Sequence, residues 1–134
     1  MTPIPITLAS AALCVVVNLW LGWRIAQLRE DLKVSVGDGG HEALLRRMRA
    51  QANFIENAPL MLILVGALEL SGANKLVLGA LTLIFILARI AHGIGMEGGT
   101  LQRWRMVGMA GTMPINLALA AWALVRVGEQ LLGR

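Results

Sequence analysis

The sequence predicts an all-α membrane protein, a bundle of four transmembrane helices, and three observations carry that prediction. Hydrophobic residues make up 57% of the 134 residues and charged ones 15%, with a mean hydropathy of +0.68, far from the usage of a soluble domain. Apolar windows recur at 4–23, 50–68, 76–88 (extended through Arg89 toward Met96) and 106–125. Each approaches the ~20 residues that a spanning helix needs. Basic residues gather at the ends of these windows, where a membrane protein keeps its orientation signal. The chain is therefore read as one domain, 1–134, with helices at about 4–30, 42–70, 74–96 and 104–131.

Composition also narrows the function classes. A net charge of +4 and a pI near 10.6 could suit nucleic acid, but cations confined to helix ends argue for orientation instead, and no nucleic-acid partner is expected. The single cysteine, Cys14, lies mid-window and allows no intramolecular disulfide, so it is read as a small packing residue. His41 and His92 are not spaced with carboxylates in any ligand motif, so no metal is expected.

The first helix starts at Pro3 and Pro5, whose missing amide hydrogens fall in a turn that has no intrahelical acceptor. With no basic side chain before it and no small-residue cleavage site after it, this helix is expected to be retained. Asn18 is its only strongly polar interior residue. Trp20, Trp23 and Arg24 mark its exit into the headgroup region. Residues 25–33 continue it past the membrane, and 34–40 carry turn chemistry. That glycine-rich turn lacks the lysine and the preceding strand of a phosphate loop.

The second helix restarts near His41 and Glu42 and runs to about Leu70, a rod of ~42 Å against a hydrocarbon core of ~30 Å. Its first turns project into water and set Arg46, Arg47 and Arg49 at the membrane mouth. Arg49, Asn53 and Glu56 fall at i, i+4 and i+7 and line one face, with Arg46 a turn earlier. Turned toward lipid, each ionised group near the centre would cost roughly 2.5–3.5 kcal/mol, so the stripe is expected to face protein, water or a ligand. Pro59 removes the hydrogen bond to the Ile55 carbonyl and predicts a kink that makes room for a ligand.

A short link, 70–75, makes the second and third helices antiparallel neighbours. The third carries Arg89 and His92 at i and i+3, beside Gly93 and Gly95, which admit a close backbone. An arginine set among apolar neighbours needs an acidic or ligand partner, and Glu56 is the candidate. A turn at 97–100 leads into the fourth helix, anchored at its start by Trp104 between Arg103 and Arg105. Gly108 and Gly111 allow close packing there, and Pro114 and Asn116 predict a second kink.

Nine basic residues (Arg24, Arg29, Lys33, Arg46, Arg47, Arg49, Arg89, Arg103, Arg105) fall on one side of the bundle and three (Lys75, Arg126, Arg134) on the other. The positive-inside rule then places both termini outside, periplasmic in a bacterial inner membrane, with the arginine-rich mouth facing the cytoplasm.

The pattern Arg-Ala-Gln-x-Asn-x-x-Glu-x-x-Pro, here Arg49 to Pro59, resembles the signature of the MAPEG family, membrane-associated proteins of eicosanoid and glutathione metabolism. Ala88-Arg89 with His92, Gly95-Met96, and Arg105-Met106-Val107-Gly108 resemble the third and fourth helices of its bacterial members, so the resemblance spans essentially the whole chain. It implies a MAPEG-like homotrimer that binds glutathione, as co-substrate, between adjacent subunits near the cytoplasmic face. A lipophilic small-molecule electrophile would approach from the membrane lipid. Arg49 and Asn53 would hold carboxylate and backbone groups, with Gln51 assisting. Glu56 would accept from the amine or pair with Arg89, and Arg89 and His92 complete the binding set. Arg105 matches the arginine that stabilises the thiolate, and the spacing leaves Arg103 open beside it. The chain contains no tyrosine, and Asn57, His92 and Met96 stand where family tyrosines touch glutathione.

The expected function is a glutathione-dependent transferase or peroxidase. Two alternatives are carried: a non-catalytic lipid-binding member, motivated by the missing tyrosines, and a small proton-coupled multidrug exporter built on a membrane carboxylate.

Overall fold

The computed structural model describes residues 3–133. Met1, Thr2 and the counted cation Arg134 lie outside the described residues. Four helices form in chain order: α1 (Pro5–Leu32), α2 (Glu42–Leu70), α3 (Lys75–Gly95) and α4 (Gln102–Leu131), the last entered through a 3-10 turn at Gly99–Leu101. All four are long and apolar enough to cross a membrane. No strand occurs among the described residues.

Two of the helix starts, those of α1 and α3, are capped by side chains. Pro5 opens α1, but Ile4 supplies no side-chain cap. The cap comes instead from the far end of α2, where Glu69 accepts the amides of Ile6 (3.0 Å) and Thr7 (2.8 Å) and the Thr7 hydroxyl (2.7 Å). A carboxylate at a helix start satisfies orphan amides and suits the dipole, which explains how Glu69 can sit at 1% exposure. Asn74 caps α3 by accepting the amides of Leu76 and Val77. Both α2 and α4 continue as single helices through Pro59 and Pro114.

The core is a seam of fully buried side chains, among them Leu44, Met61, Val65, Leu78, Phe85 and Leu119. Large apolar residues such as Leu19, Ile63, Leu117 and Leu124 stay exposed on the outside. That surface suits lipid, in which apolar burial gives helices no reason to associate and close packing at small residues does the work instead. Two glycines show this between α3 and α4. A Cβ on Gly95 would overlap the Arg105 backbone, and one on Gly108 would stand 2.6 Å from the Ala88 carbonyl oxygen and the His92 nitrogen. Their absence of a side chain brings the Arg89–His92 turn against the start of α4.

Candidate functional site

The polar groups of α2 and α3 meet at the arginine-rich end, but not with the partners that the spacing suggests. Arg89 is 3% exposed. It donates through Nη1 to Asn53 Oδ1 and through Nη2 to the Gly108 carbonyl, 2.9 Å away. A guanidinium on α3 thus ties α2 to α4. The expected Arg89–Glu56 pair does not form: Glu56 lies 60° further round α2 than Asn53, on the exposed surface of the chain. Glu56 has no ion-pair partner among the described residues.

From Asn53 the polar run continues along α2. Asn57 Nδ2 donates to the Asn53 carbonyl at 2.8 Å, and Asn116 Nδ2 of α4 donates to Asn57 Oδ1 at 3.2 Å. His92 is buried one turn from Arg89. Among the described residues its Nδ1 has no hydrogen-bond partner, nor has Arg89 Nε or Asn116 Oδ1. Buried polar atoms without partners are uncommon and point to a group that binds there or to a water. Gln51 belongs to a different contact, donating to Asn18 Oδ1 of α1 at 3.2 Å.

Arg105 is exposed and projects where α4 leaves the 3-10 turn. It lines a cleft of about 230 Å³ with Glu42, Arg46, Gly95, Met96 and Gln102. It also borders a shallower apolar hollow with Met106 and Met109. Arg103 borders neither, and its guanidinium lies 5.9 Å from the Trp104 ring centre. Among the described residues Arg49, Arg103 and Arg105 form no ion pair. Arg49 is exposed on the outer side of α2.

Three other cations of the mouth, Arg24, Arg46 and Arg47, are occupied internally. Arg46 pairs with Glu42 one turn earlier (2.6 Å). Glu97, read from the sequence only as part of a turn, accepts from Arg24 of α1 and from Arg47 Nε and Nη2 of α2 at 2.9 and 3.1 Å. Burial opposes ionisation of Glu97, but the Arg47 bonds and the charges of Arg24 and Arg47 outweigh it and hold the carboxyl below its ordinary value. The signal available was Glu97 standing as the one acidic residue in a stretch flanked by arginines.

Arg49, Asn53, Glu56, Arg89, His92 and Arg105 thus divide into an inner set (buried Arg89 and His92 with half-buried Asn53), a cleft cation (Arg105) and two groups on the outer face of α2 (Arg49, Glu56). The set can bind an anion at the cleft and an additional hydrogen-bonding group at the buried end.

A family model described as the MAPEG family matches residues 7–125. Two curated relatives, both described as Inner membrane protein YecN, come from Escherichia coli K12 and Escherichia coli O6:H1. Each is 27% identical over 122 residues, which cover 86% of this chain and 92% of the relative.

Proposed function

The chain belongs to the MAPEG family of integral membrane proteins, and on that premise we propose that it binds glutathione at its arginine-rich end and activates the thiol for attack on a lipophilic electrophile. The single observation that carries this reading is Arg105, a guanidinium that lines the cleft and has no carboxylate partner among the described residues.

The residues present fit the ligand. Glutathione at neutral pH offers two carboxylates, an ammonium and a thiol. Arg49 and Arg105 supply free cations, Glu56 a free carboxylate, and Arg89 Nε and His92 Nδ1 buried atoms without partners. Arg49 and Asn53 would hold the carboxylate and backbone groups, Gln51 would assist through the α1 side, and Glu56 would accept from the ammonium. When bound, glutathione supplies the sulfur nucleophile. Arg105 holds negative charge at that sulfur. Lowering a thiol pKa from ~8.5 by about two units takes ~3 kcal/mol, which one or two arginine bonds at roughly 1.5–3 kcal/mol each can supply. The Met106 and Met109 hollow beside Arg105 offers apolar surface to the second substrate.

Glu56 on the outer face of α2 supports association with further copies, because an ionised group in a span needs cover from lipid and a neighbouring copy provides it; in this reading the assembly is the family-type homotrimer. In this reading the arginine-rich end faces the cytoplasm and both termini are periplasmic, in an inner membrane, the location named for the relatives. A non-catalytic lipid-binding role is the second reading. It is favoured by the absence of tyrosine and by an apolar groove of about 270 Å³ between α1 and α2, floored by Cys14, Phe54 and Ala58. The exporter reading rested on four helices and a membrane carboxylate, both of which the family accounts for.

The experiment is calorimetric titration of the detergent-solubilised protein with glutathione, paired with conjugation of a chromogenic aryl halide. Saturable heat with turnover supports the transferase. Persistent co-purified lipid with no heat from glutathione supports the second reading.

A further inference from the structure

The Glu97 cluster lies outside the set assigned to glutathione, and in it two arginines from different helices meet one carboxylate. Arg24 and Arg47 converge on one carboxylate, and both are held in place by other bonds. Arg24 Nη1 donates to the Gly93 carbonyl at 3.0 Å, and its guanidinium lies 4.6 Å from the Trp20 ring centre. Arg47 Nη1 donates to the Arg24 carbonyl at 2.6 Å. Each guanidinium thus has an anchor besides Glu97. Guanidinium pairs of this kind match carboxylates by geometry as well as charge.

The carboxylate is the most exposed member: its side chain is 29% exposed, against 12% for Arg24 and 22% for Arg47, so solvent reaches it from outside. Glu97 belongs to no helix. It precedes Gly98 (φ 86°) and Gly99 (φ 57°), left-handed positions that glycine adopts without strain, in a turn between α3 and the 3-10 segment. Glu97 would therefore move outward by rotation within this turn, outside both helices.

The same turn also walls the Arg105 cleft. Gly95 and Met96 line it, and Gly98 rests so close to the Arg46 guanidinium, another lining group, that a Cβ there would overlap it. Glu97 is thus placed between two arginine clusters, pinned to one while its neighbours border the other.

We propose that Arg24 and Arg47 form a carboxylate-binding site, which Glu97 occupies in the free chain and from which an incoming ligand carboxylate displaces it, releasing the α3–α4 turn beside the Arg105 cleft. An entering carboxylate makes the same charge-assisted bonds that Glu97 gives up, so the exchange leaves no buried charge unpaired. The site itself stands on its geometry. Naming a glutathione carboxylate as the occupant rests on the reading given above.

The test uses the full-length protein in detergent, with Glu97→Gln as the main variant and Glu97→Asp, which retracts the carboxylate by one methylene, as a second. Arginine modification by phenylglyoxal is followed at Arg24 and Arg47 by peptide mass, alone, with glutathione and with succinate. The parent protein should react slowly at Arg47 in all three conditions. Glu97→Gln should react faster without ligand and recover protection with either acid. Its glutathione affinity should tighten by up to about fivefold, the range that a partly exposed ion pair of this kind allows. Glu97→Asp should move the same way by less, and Arg47→Gln should weaken glutathione binding.

Glutathione binding that leaves Arg47 of Glu97→Gln unprotected would overturn the site and leave the glutathione reading standing. Protection by succinate with no glutathione binding would do the reverse. Protection by neither acid in either folded Glu97 variant would also overturn the site, and undiminished glutathione affinity in Arg47→Gln would overturn glutathione as its occupant.

Discussion

The guanidinium of Arg89 donates to the carbonyl oxygen of Gly108 at 2.9 Å, so the cation of the third helix is held by the backbone of the fourth. The contact exists because Gly108 has no side chain to keep the two apart. It presents Nη1 to Asn53 on α2, and one buried cation thereby sets the spacing of three helices.

Replacing Arg89 with alanine should remove both bonds and cost about 3 kcal/mol, from hydrogen bonds to a charged group at ~1.5–3 kcal/mol each, partly offset by the relief of a buried charge. Glutathione affinity should fall with it, because Asn53 loses the partner that orients its amide. Thermal unfolding in detergent micelles and calorimetric titration read the two effects separately.

Gly108→Ala should destabilise by roughly 1–3 kcal/mol, since the new methyl has backbone on both sides and nowhere to relax. Gly128→Ala is its control. Nothing lies within 4 Å of an added Cβ there, so the higher helix propensity of alanine should stabilise α4 by up to about 1 kcal/mol. Melting temperatures of the pair should move in opposite directions.

Glu69→Ala should cost about 2 kcal/mol, because three donors at the start of α1 lose their acceptor. Amide exchange at Ile6 and Thr7 should accelerate while the amides around Asn53 keep their protection. Glutathione binding, at the opposite membrane face, should be unchanged.

Acid should weaken the fold through Glu97. Its carboxyl titrates below the ordinary carboxylate value in the folded chain, so its contribution is complete above that ordinary value and is lost as pH falls through the lower, folded one. The melting temperature of the parent should therefore drop as pH descends below about 4.5, and Glu97→Gln should flatten that part of the curve. Equal slopes in the two proteins would remove Glu97 as the cause.

Four membrane helices were legible from hydropathy and proline and glycine placement, because a spanning helix needs a long apolar run and little else makes one. The Arg49–Asn53–Glu56 stripe was legible from helical period alone. Period shows which residues share a face of α2, but not which neighbour packs there. Hence Arg89 meets Asn53 and a glycine carbonyl, while Glu56, one step round the helix, faces outward. Glu97 was read only as a turn residue because its partners lie 50 and 73 positions away, on helices whose relative rotation depends on tertiary packing. The 3-10 turn at Gly99–Leu101 that aims Arg105 at the cleft and Arg103 away from it carries too few residues for a periodic signal.

The ultraviolet absorbance of the thiolate, followed against pH for glutathione bound to the parent protein and to Arg105→Gln, tests most directly whether this cleft activates a thiol. Bound glutathione should be mostly thiolate at neutral pH in the parent, and Arg105→Gln should return the thiol toward its free pKa of ~8.5. A bound thiol that titrates like the free one in the parent, or a lowered value that survives Arg105→Gln, would contradict it.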